Sequence, residues 1–82
     1  MTYQDIIALL GYAGGHDQLV RITTSAHTEV VGIPTSVDTH ITAHEVYLRP
    51  AGDEETELAV SLAAIREVEL FCAASFYVAV SL

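Results

Sequence analysis

Apolar residues recur at helical intervals near the start of the chain and then, for most of its length, at every second position. Tyr3, Ile6, Ile7 and Leu10 form one stripe along a helix. Thr2 and Asp5 precede that stripe at capping-box spacing: the hydroxyl can accept from a free amide of the first turn, and the acid sits at the positive end of the dipole. Gly11 weakens the final turn, and Gly14 and Gly15 are expected to end it, since glycine readily takes up the left-handed conformation of a C-cap. The pattern predicts a helix over 2–13 whose apolar stripe lies against the rest of the domain.

Beyond residue 18 the period changes to two. Leu19 to Thr24 is rich in β-branched residues, with Val20 and Ile22 on one face and Arg21 and Thr23 on the other. Ser25, Ala26 and His27 read as a turn, and Glu29 to Ile33 as a second strand that pairs with the first in a hairpin. Gly32 predicts a bend or bulge in that strand, and Pro34 argues against its continuing. Thr35 to His44 has weak periodicity and reads as a long loop. Glu45 to Arg49 alternates, with Val46 and Leu48 inward and Tyr47 outward, and Pro50-Ala51-Gly52-Asp53 is a turn. Thr56 to Leu62 places Leu58, Val60 and Leu62 on one face. One tight helical turn over Leu62 to Ile65 leads into Arg66 to Leu70, with Val68 and Leu70 inward and Glu67 and Glu69 outward.

A second pattern fits part of this region. Leu58, Leu62 and Ile65 also match helical spacing, and a helix over 56–74 would make the fold α+β. Such a helix would put Glu69 on its apolar stripe, whereas strands leave every acid outside. The expected fold is therefore mainly β with one N-terminal helix: a small, strongly bent antiparallel sheet, closed or nearly closed into a barrel. Its expected core is Val20, Ile22, Val31, Ile33, Val46, Leu48, Leu58, Val60, Ile65, Val68 and Leu70, with Ile6 and Leu10. The 82 residues make one domain: helix 2–13, a β-rich body over 19–70 and an apolar strand-like tail over 75–82. In that tail Phe76, Val78, Val80 and Leu82 alternate with Tyr77, Ala79 and Ser81, and no charge follows Glu69. A strand of this character pairs with its own sheet or with a second copy, most simply in a two-fold dimer.

Composition narrows the function classes. Eleven acids face three bases, for a formal charge of −8, and the bases are Arg21, Arg49 and Arg66. So acidic a chain repels phosphate backbones and anionic membranes, which leaves basic proteins or metal cations as partners. Acidity that serves only solubility is the plainer alternative. Cys72 is the single cysteine, so no internal disulfide can form, and its apolar neighbours Phe71, Ala73 and Ala74 suit a packed thiol. The opening residues lack the basic stretch of a signal peptide. The most apolar run, Leu70 to Leu82, is too short to span a bilayer, which takes roughly 20 residues. A cytoplasmic location is the default expectation.

A leading helix, about five short strands and a tight turn before the fifth together resemble the Sm-like, SH3-type small barrels. The segment Glu57-Leu58-Ala59-Val60-Ser61-Leu62-Ala63-Ala64-Ile65-Arg66-Glu67-Val68-Glu69-Leu70 is similar to their closing strands. The resemblance covers residues 2–70 and rests on the order of elements. It implies RNA binding in basic, polar pores, from which the charge here departs. Rof-type inhibitors of the terminator Rho are acidic relatives in this broad class, and they imply binding to a protein surface instead.

The richest polar cluster is Asp38, His40, His44 and Glu45. On a helix, His40 and His44 would aim both imidazoles at one metal, with Asp38 or Glu45 adding an oxygen. Pro34, Thr35, Thr39 and Thr42 oppose a helix there, so a solvated loop without metal is expected. His16 and His27 fall in turns. No base, nucleophile and oxyanion donor can be assembled, and no glycine-rich loop precedes a helix to hold phosphate. The sequence thus predicts a non-enzymatic module without a cofactor that binds another protein. Tyr47, flanked by Glu45 and Arg49, is a candidate anchor. Asp53, Glu54, Glu55, Glu57, Glu67 and Glu69 would form one negative patch if their strands pair. The alternative is a homo-oligomeric structural protein; an RNA-binding barrel or a metal-binding protein ranks below both.

Overall fold

The computed structural model describes residues 1–53 and 55–71. Helix α1 (Tyr3–Gly15) is followed by strands β1 (Val20–Thr24), β2 (Glu29–Asp38), β3 (Glu45–Pro50) and β4 (Leu58–Ser61). A single 3-10 turn (Leu62–Ala64) then leads into β5 (Ile65–Leu70). The five strands form one antiparallel sheet in the order β4-β3-β2-β1-β5. The sheet is open and does not close into a barrel, so β4 and β5 are its two edges among the described residues. The alternative helix over 56–74 is overturned for the described part of that span by β4, the 3-10 turn and β5. The tail over 75–82, Cys72 and Glu54 lie outside the described residues.

Helix α1 starts as its sequence dictates. Thr2 Oγ1 accepts from the Asp5 amide at 3.1 Å, and Asp5 Oδ2 accepts from the Thr2 amide at 3.2 Å, completing a reciprocal capping box. The helix ends later than expected. Gly14 and Gly15 stay inside it, His16 is the C-cap, and the left-handed residue is Asp17 at φ 50°. Gly14 has a packing role instead: a Cβ there would lie 3.2 Å from the Pro34 carbonyl oxygen, so its lack of a side chain lets the helix approach β2. The buried stripe is Ile6, Leu10 and Ala13; Tyr3 is exposed.

Strand β2 departs most from expectation. It runs through Pro34 to Asp38, so the loop expected from residue 35 begins only after residue 38. Two facts make the proline tolerable. The β1 ladder ends at Val20↔Gly32, so Pro34 needs no amide on that side; and the β3 ladder breaks register between Pro34 and Ser36, which makes Thr35 a bulge residue. Proline within a sheet is confined to such edges and bulges.

Gly32 is the hinge of the fold. It is the one β2 residue in both ladders, pairing with Val20 of β1 and Pro50 of β3. Strand β2 therefore bonds β1 with its first part and β3 with its second, the behaviour of a strand that turns a corner between two layers. A Cβ at position 32 would sit 2.7 Å from the Arg49 carbonyl oxygen. Only glycine fits so close an approach, as the expected bend required.

The register also corrects the core. Val20 and Ile22, both buried, stand opposite Gly32 and Val30, so Val30, Gly32 and Pro34 face inward and Val31 and Ile33 belong to the other face. The core consists of Ile6, Leu10, Ala13, Val20, Ile22, Val46, Leu48, Leu62, Ile65 and Val68, with Val30, Val37 and Val60 packed against it. Leu58 and Leu70, expected inside, are exposed at 38% and 43%, because each sits near the end of an edge strand.

Candidate functional site

With α1 and the core on one side of the sheet, the charged positions of the strands collect on the other. They form two groups, one on β1, β5 and the start of β2, and one on the end of β2, β3 and β4.

On the first, Arg21 stands opposite both Glu69 and Val31, and Thr23 opposite both Glu67 and Glu29. Arg21 Nε donates to Glu69 Oε1 at 2.9 Å and lies 3.8 Å from Glu29 Oε2. The hydrogen bond to Glu69, reinforced by the charges of Glu69, Glu29 and Glu67, raises the Arg21 pKa above its ordinary value. Glu69 is thus engaged within the sheet.

The second group centres on Tyr47. Cross-strand pairing sets Ser36 and Ala59 beside it, and Asp38 and Ser61 beside Glu45. The Tyr47 hydroxyl donates to Glu45 Oε1 at 2.8 Å. The Thr35 hydroxyl lies within hydrogen-bond reach of the Tyr47 carbonyl oxygen (3.2 Å) and of Glu57 Oε2 (3.3 Å). The partly buried phenol is thus bound to one carboxylate, Glu45, with the charges of Asp38 and Glu57 in its neighbourhood. The bond to Glu45 pushes its pKa above the ordinary 10.0, followed in effect by desolvation and by the charges of Glu45, Asp38 and Glu57. This negative surround with an aromatic ring inside it suits a guanidinium or ammonium group, which gains from the carboxylates and from the ring face alike.

The four residues considered for a metal are parted by the same geometry. Asp38 and Glu45 become cross-strand neighbours. The His40 amide donates to Asp38 Oδ1 at 2.9 Å, while the His40 ring nitrogen Nδ1 pairs with the Thr42 hydroxyl at 2.7 Å. His44, at φ 48°, stacks on Tyr3 of α1 with ring centroids 5.4 Å apart. Among the described residues no group of three or more His, Cys, Asp or Glu side chains is placed to hold a metal ion.

The single acidic patch expected from neighbouring strands is also revised. Strands β4 and β5 do not pair; they lie at opposite ends of the sheet order, so Glu55 and Glu57 belong to one acidic group and Glu67 and Glu69 to another. Asp53 organises the β3–β4 turn. Its carboxylate accepts from the Thr56 hydroxyl and from the Glu55 and Thr56 amides, both amides at 3.2 Å. The Thr56 hydroxyl foremost, and the amide bonds with it, hold the Asp53 pKa below the ordinary 3.8.

Sequence reasoning placed Tyr47 and Glu45 on one face through their alternation, but it missed Thr35 and the position of Asp38. Both belong to a part of β2 hidden behind Pro34; the signal available was the alternation of Ser36, Val37 and Asp38. No helix among the described residues is long and apolar enough to cross a membrane. No protein-family model and no curated protein matches the chain.

Proposed function

We propose that the chain is a non-enzymatic interaction module whose acidic sheet face receives a basic segment of another protein. The observation that carries this reading is Tyr47, partly buried and hydrogen-bonded to Glu45, with the charges of Asp38 and Glu57 acting on it and the Thr35 hydroxyl within reach of Glu57. Asp53 and Glu55 extend the negative character along the adjoining turn, and Glu54 follows Asp53 in sequence. A net charge of −8 steers a basic partner toward this surface and speeds encounter more than it deepens affinity. Glu67 and Glu69 contribute to a second negative region on β5. The compartment that fits this reading is the cytoplasm.

The Sm-like resemblance belongs to the same proposal. A leading helix, four strands, a 3-10 turn and a fifth strand, ordered β4-β3-β2-β1-β5, support it. Charge favours the protein-binding relatives over RNA binders.

The open sheet favours a second reading, a homo-oligomeric structural protein. Strands β4 and β5 each have one neighbour among the described residues, and an exposed strand edge is a template for association.

Capture of partners at low and high salt, with sedimentation of the full chain and of a chain stopped after Ala74, separates the readings. The interaction module predicts a basic partner released by salt and lost when Glu45, Glu54, Glu55 and Glu57 become Gln. Recovery of nucleic acid undiminished by those changes would refute it. Self-association without any partner, abolished by removing the tail, would establish the oligomer.

A further inference from the structure

The ladder between β1 and β5 has one irregularity. Ile22 pairs with Val68 and Thr24 with Ile65, all buried, but between them Thr23 alone faces both Arg66 and Glu67. Arg66 is thus the extra residue of a β-bulge, which turns two successive side chains outward and re-aims them as bulges do. A second backbone departure lies across from it: His27, in the β1–β2 turn, holds φ at 63°. Thr23, His27, Arg66 and Glu67, with Met1, line one open, mostly polar recess of about 420 Å3.

The four polar side chains in this recess are available. Among the described residues none of them makes a side-chain hydrogen bond or ion pair, whereas Arg21, one position along on the same face, is committed to Glu69 and Glu29. Arg66 and His27 supply donors, the guanidinium in the forked geometry that matches a carboxylate. Glu67 supplies an acceptor for an ammonium group, and the Thr23 hydroxyl serves either role.

Charge selects the ligand class. A simple anion would meet Glu67 within the recess and Glu29 on the far side of Thr23, and it would approach a protein of net charge −8. A simple cation would meet Arg66. A neutral molecule carrying both charges meets neither penalty. We propose that this recess binds a small zwitterion of the amino-acid type, its carboxylate on Arg66 and its ammonium on Glu67.

The site stands apart from the acidic face around Tyr47, so each proposal can fail alone. The test is an amide chemical-shift titration of the isotope-labelled full chain with glycine and glycylglycine, alongside acetate and methylammonium. Saturable shifts centred on Thr23, His27, Arg66 and Glu67 are expected with at least one zwitterion, with acetate and methylammonium at least tenfold weaker. Arg66→Ala and Glu67→Gln, both exposed positions, should each weaken zwitterion binding at least tenfold with circular dichroism unchanged. No saturable shift with either zwitterion, or acetate binding as tightly as glycine, would overturn the proposal; that comparison uses the unaltered protein and holds even if a variant fails to fold.

Discussion

Replacing Gly32 by alanine adds one methyl group at the corner where β2 exchanges one partner strand for the other. The new Cβ would stand 2.7 Å from the Arg49 carbonyl oxygen, 3.2 Å from the Arg49 carbonyl carbon and 3.3 Å from Leu48 Cβ. The nearest two atoms are backbone of β3 at Arg49, between Leu48, which pairs with β4, and Pro50, which pairs with Gly32 itself; Leu48 is fully buried, so no flexible side-chain end can move away. Overpacking of this kind costs about 1–3 kcal/mol. The loss of unfolded-chain freedom offsets about 0.4–1 kcal/mol of it. Because the 2.7 Å contact is with backbone, the overpacking cost lies at the upper end of its range, and a net destabilisation of about 2 kcal/mol follows. In a domain of this size that lowers the thermal midpoint by about 4–8 °C per kcal/mol. Gly11→Ala is the matched control: its Cβ meets nothing within 4 Å and enters a helix, so it should stabilise by about 0.5–1 kcal/mol. Urea unfolding of both variants, followed by circular dichroism with unchanged m-values, reads the two signs. Equal stability of Gly32→Ala and the unaltered protein would show that β2 and β3 do not approach as described and would remove the corner.

Thr2→Ala deletes one half of the reciprocal cap and should cost about 0.5–2 kcal/mol; Thr2→Ser should retain most of that, and denaturant midpoints distinguish them. Tyr47 should ionise above 10.0 in an absorbance titration toward alkaline pH, and Glu45→Gln should bring it back toward the ordinary value. The sign follows from linkage: a raised folded-state pKa contributes stability that is present in full below the ordinary tyrosine value and lost as pH rises through the folded one. Loss of stability in that alkaline window should therefore be smaller in Tyr47→Phe, and an unchanged pH profile would count against the Glu45 contact.

Much of the fold was legible because the binary pattern and the chain's local chemistry agree. Thr2 and Asp5 announced the cap, and Val20, Ile22, Val46 and Leu48 announced two strand faces that the register upholds. The short Leu62–Ala64 turn was legible where a long helix competed with it, because only the strands keep Glu69 out of the core. What escaped lies at positions where tertiary contacts outweigh local preference. Pro34 reads as a strand terminator until its neighbours show that no amide is needed there. Val31 and Ile33 read as core because the residues that truly face inward at this point include a glycine and a proline, which carry little hydrophobic signal. The same stretch concealed Thr35 and Asp38, so the surroundings of Tyr47 were only half visible. The bulge at Arg66 leaves no trace in an alternating pattern of this length.

A strand that serves two neighbours in succession also orders the events of folding. The β1–β2, β2–β3 and β3–β4 pairings each join segments consecutive in the chain, so they close small loops and can form early. The β1–β5 ladder is different: Val20 meets Leu70, 50 positions away, and must wait until the corner at Gly32 has set the direction of β1. Mutations in β5, such as Val68→Ala, should then act mainly by hastening unfolding, whereas changes at the corner should slow refolding.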